Sequence, residues 1–475
     1  MKYNELKIEN LDIFPDAKRL VFKNRKNIYS KNSNIDFNNV ISAFGIALHM
    51  HQPIILESPN SYSKLISNLW YMMENQHIGD NHNAPIFYKC YYRMSDFIKE
   101  LVSQNKNPRV MLDYSGNLLW ALENMESGYA IEKLKEITID KNYNKYIEWL
   151  GTTWSHSVIG STPVPDIKLQ VLAWRAHFAS IFGLEALKRI KGFSAPEMQL
   201  PIHPDVCYEY IKTLKECGYE WLMVQEHTIE NLDGSSIKNP YFPHRLIAKN
   251  SEGETEEITI LIKTKGSDTK LVGQMQPYYE AKTKTKEYFC GKKIPPYVLQ
   301  IGDGENGGVM MNEFPQAYKL AFSEITTSGV VGMNGSEYLE FLKKEGIKEK
   351  DFPKVQPVFQ HRIWELVVNY SKKEVDRAID ELHKKDPNFV LDKGSWTNDK
   401  SWIRGYEDVL SPMNKLSVAF HKKFDNKKIN KKDKKYKEAL LYLLLSQTSD
   451  FRYWGVGIWT EYAKEIIRRG FEALK

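Results

Sequence analysis

Strand-like apolar stretches alternate with helix-like stretches along most of the first 333 residues of this chain. Alternation of this kind is typical of parallel strands joined by helical crossovers. Closing the strands on themselves would give a TIM-like (β/α)7 barrel, one strand short of the full form, within an α/β fold class. An open α/β sheet is the alternative that the pattern leaves. The predicted strands are Val40–His49, Arg109–Tyr114, Tyr146–Thr153, Ile190–Ala195, Tyr219–Gln225, Tyr297–Gly302 and Gly329–Met333.

Changes in this rhythm divide the chain. Residues 1–37 are polar and rich in lysine and asparagine, which predicts an N-terminal extension. Residues 38–345 hold the predicted catalytic barrel. Within it, residues 228–296 interrupt the alternation and are interpreted as an insertion that shapes one wall of a cleft. From residue 346 to residue 475 the pattern is helical, which predicts a separate C-terminal helical domain.

Charge and composition exclude some classes of function. The net charge of +6 is concentrated in a lysine-rich run, His421 to Lys437. A nucleic-acid binder would spread basic residues over a face with aromatic residues between them. We therefore expect a solvated connection between two helices and no nucleic-acid partner. The four cysteines form no CxxC pair, so neither thiolate zinc sites nor a disulfide framework is expected.

The hydrophobic pattern predicts a cytoplasmic protein without a membrane partner. The first residues lack the apolar core of a signal peptide. The longest apolar run, Ala439 to Leu445, is far too short to cross a bilayer. The oligomeric state is left open.

Two carboxylates follow predicted strands. Glu197 ends the segment Gly192–Glu197, and Asp303 is flanked by Gly302 and Gly304. Because parallel strands end at one shared rim, these side chains are expected to meet there. A pair of carboxylates beside polar and aromatic side chains is the usual equipment for cutting glycosidic bonds.

A pair of histidines ends the first predicted strand. Since side chains alternate along a strand, His49 and His51 point to the same face. Such a pair is typical of core hydrogen bonding, of ligand contact, or of the metal site of an amidohydrolase or carbohydrate deacetylase. Further ligands for such a metal would be His156, His203 and His227. The metal alternative does not explain the two carboxylate segments.

Several segments, in chain order, resemble the signature regions of glycoside hydrolase family 57, which acts mainly on α-glucans. The resemblance covers roughly residues 40 to 460. Its members are His49–Pro53, Trp149–His156, Gly192–Glu197, Gly302–Glu305, Gly394–Trp396 and Leu445–Phe451. Ser194 and Phe451 depart from the family pattern, so the resemblance does not identify the subfamily.

The resemblance implies a seven-stranded barrel whose cleft is completed by a C-terminal helical bundle. It implies a retaining double displacement with Glu197 as nucleophile and Asp303 as general acid/base, without cofactor or metal. The residues implied or predicted to bind the sugar are His49, His51, Gln52, His156, Glu305 and Asp450. Candidates for stacking on glucose rings are Trp154, Trp396, Trp402 and Trp454.

The expected substrate is an α-glucan or a malto-oligosaccharide. The first hypothesis is α-amylase-like hydrolysis of α-1,4 linkages. The second is transfer by a 4-α-glucanotransferase or a branching enzyme on the same carboxylates. A glucan-binding protein without catalytic activity is a third possibility, because function does not follow from fold.

Overall fold

The computed structural model describes residues 5–14, 17–23, 25–265, 269–305, 313–325, 329–396, 401–425 and 433–475. The fold is mixed α/β around a central, mostly parallel sheet. The principal strands are β1 (Ser42–Met50), β2 (Val110–Tyr114), β3 (Ile147–Trp149), β4 (Gly192–Ser194), β5 (Trp221–Gln225), β6 (Thr255–Lys263) and β7 (Tyr297–Asp303).

These strands pair in parallel in one continuous series. On one side of β1 the order is β2 and then β3, and on the other side it is β7, β6, β5 and β4. An isolated parallel bridge between Gly151 and Phe193 connects the end of β3 to β4. The two ends of the series therefore meet. The principal strands are almost wholly buried, as expected for parallel strands covered by helices.

All seven predicted strands are found. Five are shorter than predicted, whereas β1 is shifted by one or two residues and β7 is one residue longer. The segment predicted as Gly329–Met333 forms only Val330–Gly332, which pairs with the start of β1. By contrast, β6 lies in the region interpreted as an insertion, yet it pairs in parallel with β5 and β7. For this strand the insertion hypothesis is wrong. Its polar first half pairs with His244–Lys249 in an antiparallel hairpin. In the sequence this hairpin looks like a separate inserted element, although the apolar half belongs to the central sheet.

Smaller strands complete the sheets. They are Ile54–Leu56, Leu65–Ser67, Ile229–Asn231, His244–Lys249, Glu287–Phe289, Lys292–Ile294, Val330–Gly332 and Lys354–Pro357.

The α-helices agree broadly with the predicted stretches. Pro204 begins the helix Pro204–Glu216, and Ser371 caps its helix by accepting from the Glu374 amide. Val164–Phe182 and Leu184–Arg189 are separate helices, because Gly183 adopts a positive φ of 86° between them. The helices are Ala17–Leu20, Tyr29–Asn32, Asn68–Glu74, Ala84–Ser103, Gly116–Asn124, Tyr129–Thr138, Val164–Phe182, Leu184–Arg189, Pro204–Glu216, Thr269–Gly273, Gln276–Ala281, Phe314–Glu324, Gly335–Lys344, Gln360–Leu366, Lys372–Lys385, Glu407–Phe424, Lys434–Ser446, Asp450–Tyr453 and Ile458–Ala473.

The last helices pack against the sheet's own helices. Leu440, Leu444 and Ile466 are fully buried and belong to the same apolar cluster as Leu48 of β1 and Leu112 of β2. Phe451 of the short helix Asp450–Tyr453 is buried in the same cluster. The middle of the lysine-rich run, residues 426–432, lies outside the described residues. Within the described ranges, no helix is long and apolar enough to traverse a bilayer.

Candidate active site

The carboxyl ends of β1, β2 and β7 bring charged side chains into one row. His49 pairs with Asp113 of β2 on one side and with Asp303 of β7 on the other. After β7, the Gly304 amide donates to the His49 carbonyl at 2.8 Å. Glu305 then accepts a hydrogen bond from the His51 amide at 2.9 Å. Strand register alone therefore assembles a histidine and three carboxylates.

Glu197 enters the site from a tight turn after β4. Pro196 ends the strand, and the Met198 amide donates to the Ala195 carbonyl at 2.9 Å. Glu197 and Met198 both adopt left-handed backbone conformations, with φ of 58° and 52°. Each such residue costs roughly 1 kcal/mol or more, and strain of this kind is concentrated at functional sites. The turn holds the Glu197 side chain at the end of the strand.

A loop from the C-terminal part of the chain covers Glu197. The Trp396 indole N–H donates to Glu197 Oε2 at 2.6 Å, and the Trp396 amide donates to the Glu197 carbonyl at 3.1 Å. The loop approaches closely because Gly394 has a φ of +96°. A Cβ there would lie 2.6 Å from the Leu200 carbonyl oxygen, so only glycine fits.

The acidic groups perturb one another. Burial, together with the charge of Asp303, raises the pKa of Glu197 to about 7, although Trp396 and His49 partly offset this. Burial and Asp303 likewise raise the pKa of Glu305 to about 7. Glu197 and Asp303, predicted from separate segments, thus share one electrostatic environment. A carboxyl group that titrates near neutrality is typical of catalytic sites.

A chain of hydrogen bonds runs behind the carboxylates. His49 Nδ1 contacts Asp113 Oδ2 at 3.0 Å, and His49 Nε2 contacts His156 Nε2 at 2.8 Å. His156 Nδ1 in turn contacts Ser449 Oγ at 2.6 Å. Burial lowers the pKa of His49, but the carboxylates of Asp113, Asp303 and Glu305 outweigh it and raise the pKa to about 9.

His51 ties the C-terminal helices to the sheet. Its Nε2 contacts Asp450 Oδ2 at 2.8 Å, and its Nδ1 contacts Ser115 Oγ at 2.7 Å. Its ring stacks on His156, with centroids 4.0 Å apart and planes inclined by 10°. Asp450 begins the helix Asp450–Tyr453, so this helix forms part of the site.

The predicted site residues lie in two layers. Those that keep some exposed surface are His51, Gln52, Glu197, Asp303 and Trp396. The buried ones behind them are His49, His156, Glu305 and Asp450. As a set, the first group is more accessible to a ligand than the second.

Most of the tryptophans predicted to stack on sugar lie elsewhere. Trp154 is fully buried and donates its indole N–H to His177. Trp402 is 1% exposed and donates to Ser395 Oγ. Stacking on glucose is therefore wrong for these two in this structure, because neither ring face is accessible. Trp454 is 52% exposed and packs against Tyr453.

Three residues of the network were missed by sequence reasoning: Asp113, Ser115 and Ser449. Asp113 carried a usable signal, since it is an acidic residue inside the apolar strand Val110–Tyr114. A charge in such a strand needs a partner when the strand is buried. Ser449 lies within the segment Leu445–Phe451, directly before Asp450, whereas Ser115 carried no comparable signal.

The metal alternative finds no support in the geometry. Among the described residues, no three His, Cys, Asp or Glu side chains are grouped so that they could hold a metal ion. All four ring nitrogens of His49 and His51 are engaged with other protein groups. His227 contacts the Ser395 carbonyl at 3.3 Å.

The sequence was compared with models of known protein families. Residues 45–263 match the model of Glycosyl hydrolase family 57. Over these residues the chain is similar to glycosyl hydrolase family 57. The match includes Glu197, the two histidines and β1 to β6, and it confirms the resemblance found in the signature segments. No curated protein sequence matches the chain.

Solved structures share the fold of this chain at low sequence identity. A 4-alpha-glucanotransferase from Thermococcus litoralis is 18% identical, with a TM-score of 0.50. The alignment covers 86% of this chain but only 53% of that one. A branching enzyme from Pyrococcus horikoshii (12% identity, TM-score 0.52) is covered over 88% of its length, and 91% of this chain is aligned. The α-amylase AmyC from Thermotoga maritima (11%, 0.52) is covered over 93%, again with 91% of this chain.

Proposed function

We propose that the protein is a retaining glycoside hydrolase that acts on α-glucans and cleaves α-1,4 linkages as an α-amylase does. The observation that carries the proposal is the setting of Glu197. Its carboxylate accepts a hydrogen bond from Trp396 and interacts with the charges of Asp303 and His49. The family match and the α-glucan enzymes among the related structures support the substrate class.

We further propose that the continuous parallel series is a (β/α)7 barrel over residues 38–345. The bridge between Gly151 and Phe193 supports closure of the series. Residues 1–37 would be an extension and residues 346–475 a helical domain that completes the cleft. Support for this last assignment is the hydrogen bond between His51 and Asp450.

In the proposed mechanism, ionised Glu197 attacks the anomeric carbon while Asp303 gives its proton to the departing glycosidic oxygen. A covalent glycosyl-enzyme forms and the C–O bond to the leaving sugar breaks. Asp303, now ionised, takes a proton from water, whose oxygen attacks the anomeric carbon and releases Glu197. This sequence requires the two carboxyl groups to lie about 5–5.5 Å apart when substrate is bound.

The partly exposed residues would contact the sugar. Gln52 offers polar atoms beside the carboxylates, and Trp396 offers an aromatic ring, while the His51 ring offers its edge because both of its nitrogens are already bonded. The buried residues Glu305 and Asp450 would hold His51 in place, since both accept hydrogen bonds from it. A substrate chain is thus expected to lie across the carboxyl ends of β1, β4 and β7.

Transfer is possible on the same site. If a sugar hydroxyl replaces water in the second step, the enzyme acts as a 4-α-glucanotransferase or a branching enzyme. Incubation with maltoheptaose and chromatography of the products separates the outcomes. Shorter products alone indicate hydrolysis, whereas longer chains beside shorter ones indicate transfer.

The proposed catalytic pair can be tested by isosteric substitution. Asp303→Asn should lower kcat/KM on maltoheptaose by about 10²–10⁴-fold, the usual contribution of general acid–base catalysis. Glu197→Gln should lower it at least as much, because the nucleophile is lost. Glu148→Gln is a matched control, since Glu148 is a fully buried carboxylate that binds Ser336 instead. Full activity in either site variant would overturn the assignment, and absence of cleavage by the unaltered protein would favour a binding role.

A further inference from the structure

His49 has no ring nitrogen available for a ligand. Nδ1 contacts Asp113 Oδ2 at 3.0 Å and Nε2 contacts His156 Nε2 at 2.8 Å. The residue is only 5% exposed. It cannot hydrogen-bond a sugar hydroxyl, the role implied by the family resemblance, while both contacts persist. A different role must explain why a histidine stands between two carboxylate-bearing strands.

Asp113 needs a compensating positive charge. Its side chain is fully buried, and among the described residues Oδ1 has no hydrogen-bond partner while Oδ2 contacts His49. An isolated buried carboxylate is costly unless it is paired with a cation. The imidazole of His49 lies where it can supply that cation.

His156 determines where the protons of His49 lie. A contact between two imidazole nitrogens requires one N–H and one lone pair. Burial, together with the charges of His51, His49 and Arg452, lowers the pKa of His156 well below its ordinary value. Neutral His156 can accept from His49 at Nε2 while it donates from Nδ1 to Ser449 Oγ. In this tautomer, which suits the buried Asp113 carboxylate, both nitrogens of His49 carry protons.

The surroundings of His49 are dominated by acidic groups. The edge of the Trp396 ring lies against it, with centroids 5.8 Å apart. The titratable groups that face it are Asp113, Asp303, Glu305, Glu197 and His156. His51 and Arg452 act on His156 behind it, and Asp450 contacts His51. A protonated imidazole at this point attenuates the mutual repulsion of the carboxylates.

We infer that Asp113 is a positioning residue that holds His49 as a fixed cation beneath the carboxylates, so that Glu197 stays ionised for attack. The inference rests on the proposed role of Glu197 as nucleophile. Asp113 does not touch the substrate in this scheme and acts only through His49. Neutralising it would leave the nucleophile in place but weaken its charged form.

The pH profile of kcat/KM on maltoheptaose tests this inference. Asp113→Asn should move the acidic limb upward by roughly one pH unit, because an opposite charge near Glu197 is lost and its pKa rises. A merely structural defect would lower activity evenly at all pH values. Glu148→Gln, on the adjacent strand β3, should leave the limb unmoved. An acidic limb that stays in place in folded Asp113→Asn would overturn the inference.

A second measurement does not depend on activity. Nitrogen NMR of ¹⁵N-histidine in the full chain should show both His49 nitrogens protonated at pH 7.5, and deprotonation at least about one unit lower in Asp113→Asn. A singly protonated His49 in the unaltered protein would overturn the inference. This readout stays decisive if Glu197→Gln is active, a result that would refute only the proposed function.

A different variant tests the inference if Asp113→Asn does not fold. His49→Gln removes the same charge and should shift the acidic limb by a similar amount. Combining it with Asp113→Asn should add no further shift of the acidic limb. In this scheme Asp113→Asn acts only by discharging His49, and His49→Gln has already removed that charge. Additive shifts, or no shift in His49→Gln, would contradict the inference.

Discussion

Buried carboxylates have different partners at the two ends of the parallel strands. At the amino ends, Arg109 directly precedes β2 and pairs with Glu337 through two hydrogen bonds of 2.8 and 3.0 Å. Lys191 directly precedes β4 and lies 3.0 Å from Glu340. All four side chains are nearly inaccessible. Glu337 and Glu340 each have their own cation, and the arrangement holds neighbouring elements together.

At the carboxyl ends the acidic groups instead crowd together. Glu197 and Glu305 both titrate near neutrality because they are buried and lie close to Asp303. Glu197 also carries a left-handed backbone conformation. One end of the sheet thus stabilises the fold, while the other end holds charges and strain that destabilise it but suit catalysis. The same Glu→Gln substitution should therefore have opposite effects on stability at the two ends.

The largest effect on stability is expected at the amino end. Glu337→Gln removes the negative charge from a buried pair and leaves the Arg109 guanidinium uncompensated. We expect the free energy of unfolding to fall by about 3 kcal/mol at pH 7, as when a buried ion pair loses one partner. Denaturant titration followed by circular dichroism measures this. Activity per folded molecule should be unchanged, and a variant as stable as the unaltered protein would remove the contrast between the two ends.

Glu197→Gln should instead stabilise the protein at high pH. The pKa of Glu197 is raised to about 7 in the folded state. Its protonated form therefore stabilises the folded state at pH values below the pKa of the unfolded chain, and this stabilisation is lost as the pH rises through 7. At pH 8 the buried charge is a penalty that glutamine lacks, while the Trp396 indole can still donate to the amide oxygen. We expect a gain of about 2 kcal/mol at pH 8.

The pH dependence of this gain distinguishes its cause. The difference between Glu197→Gln and the unaltered protein should shrink towards zero at about pH 3, below the ordinary glutamate pKa of about 4.3, where Glu197 is protonated in both the folded and unfolded states. Denaturant titrations at the two pH values measure it. A variant that is less stable at pH 8 would mean that the charge of Glu197 is well compensated and that the two ends do not differ.

What the sequence could predict was set by local patterns. Apolar runs and their spacing predicted β1, β2 and β7 because buried parallel strands must be apolar throughout. The glycine and proline context predicted Glu197 and Asp303 as the residues that follow strands. The ordered segments led to the family that the match over 45–263 confirms.

What it could not predict depends on contacts between distant parts of the chain. Nothing near Ser449 in sequence indicates that it contacts His156. Trp154 and Trp396 look alike as aromatic residues beside motifs, but only the tertiary fold places one in the core and the other on Glu197. Likewise, β6 was misplaced because its hairpin with a neighbouring strand is a local signal, whereas its parallel pairing is not.

The smallest expected effect concerns the hydrogen bond from Trp396 to Glu197. Trp396→Phe keeps an aromatic ring but removes the N–H that stabilises the ionised carboxylate, so the pKa of Glu197 should rise. We expect kcat/KM on maltoheptaose to fall about tenfold at pH 6 and less at pH 8, since a hydrogen bond to a charged group contributes about 1.5–3 kcal/mol.

The matched control lies at the other end of the sheet. Trp221 is also a buried tryptophan whose indole N–H donates to one oxygen, Ser336 Oγ, at 2.9 Å. Trp221→Phe should lower the free energy of unfolding by about 1 kcal/mol and leave the pH profile unchanged, because no catalytic charge depends on that bond. If Trp396→Phe lowered activity equally at pH 6 and pH 8, its indole would act through sugar contact alone. The pKa of Glu197 would then be set by its neighbours Asp303 and His49 and not by Trp396. The contrast between the two ends of the sheet would still hold, because it depends only on those charged neighbours.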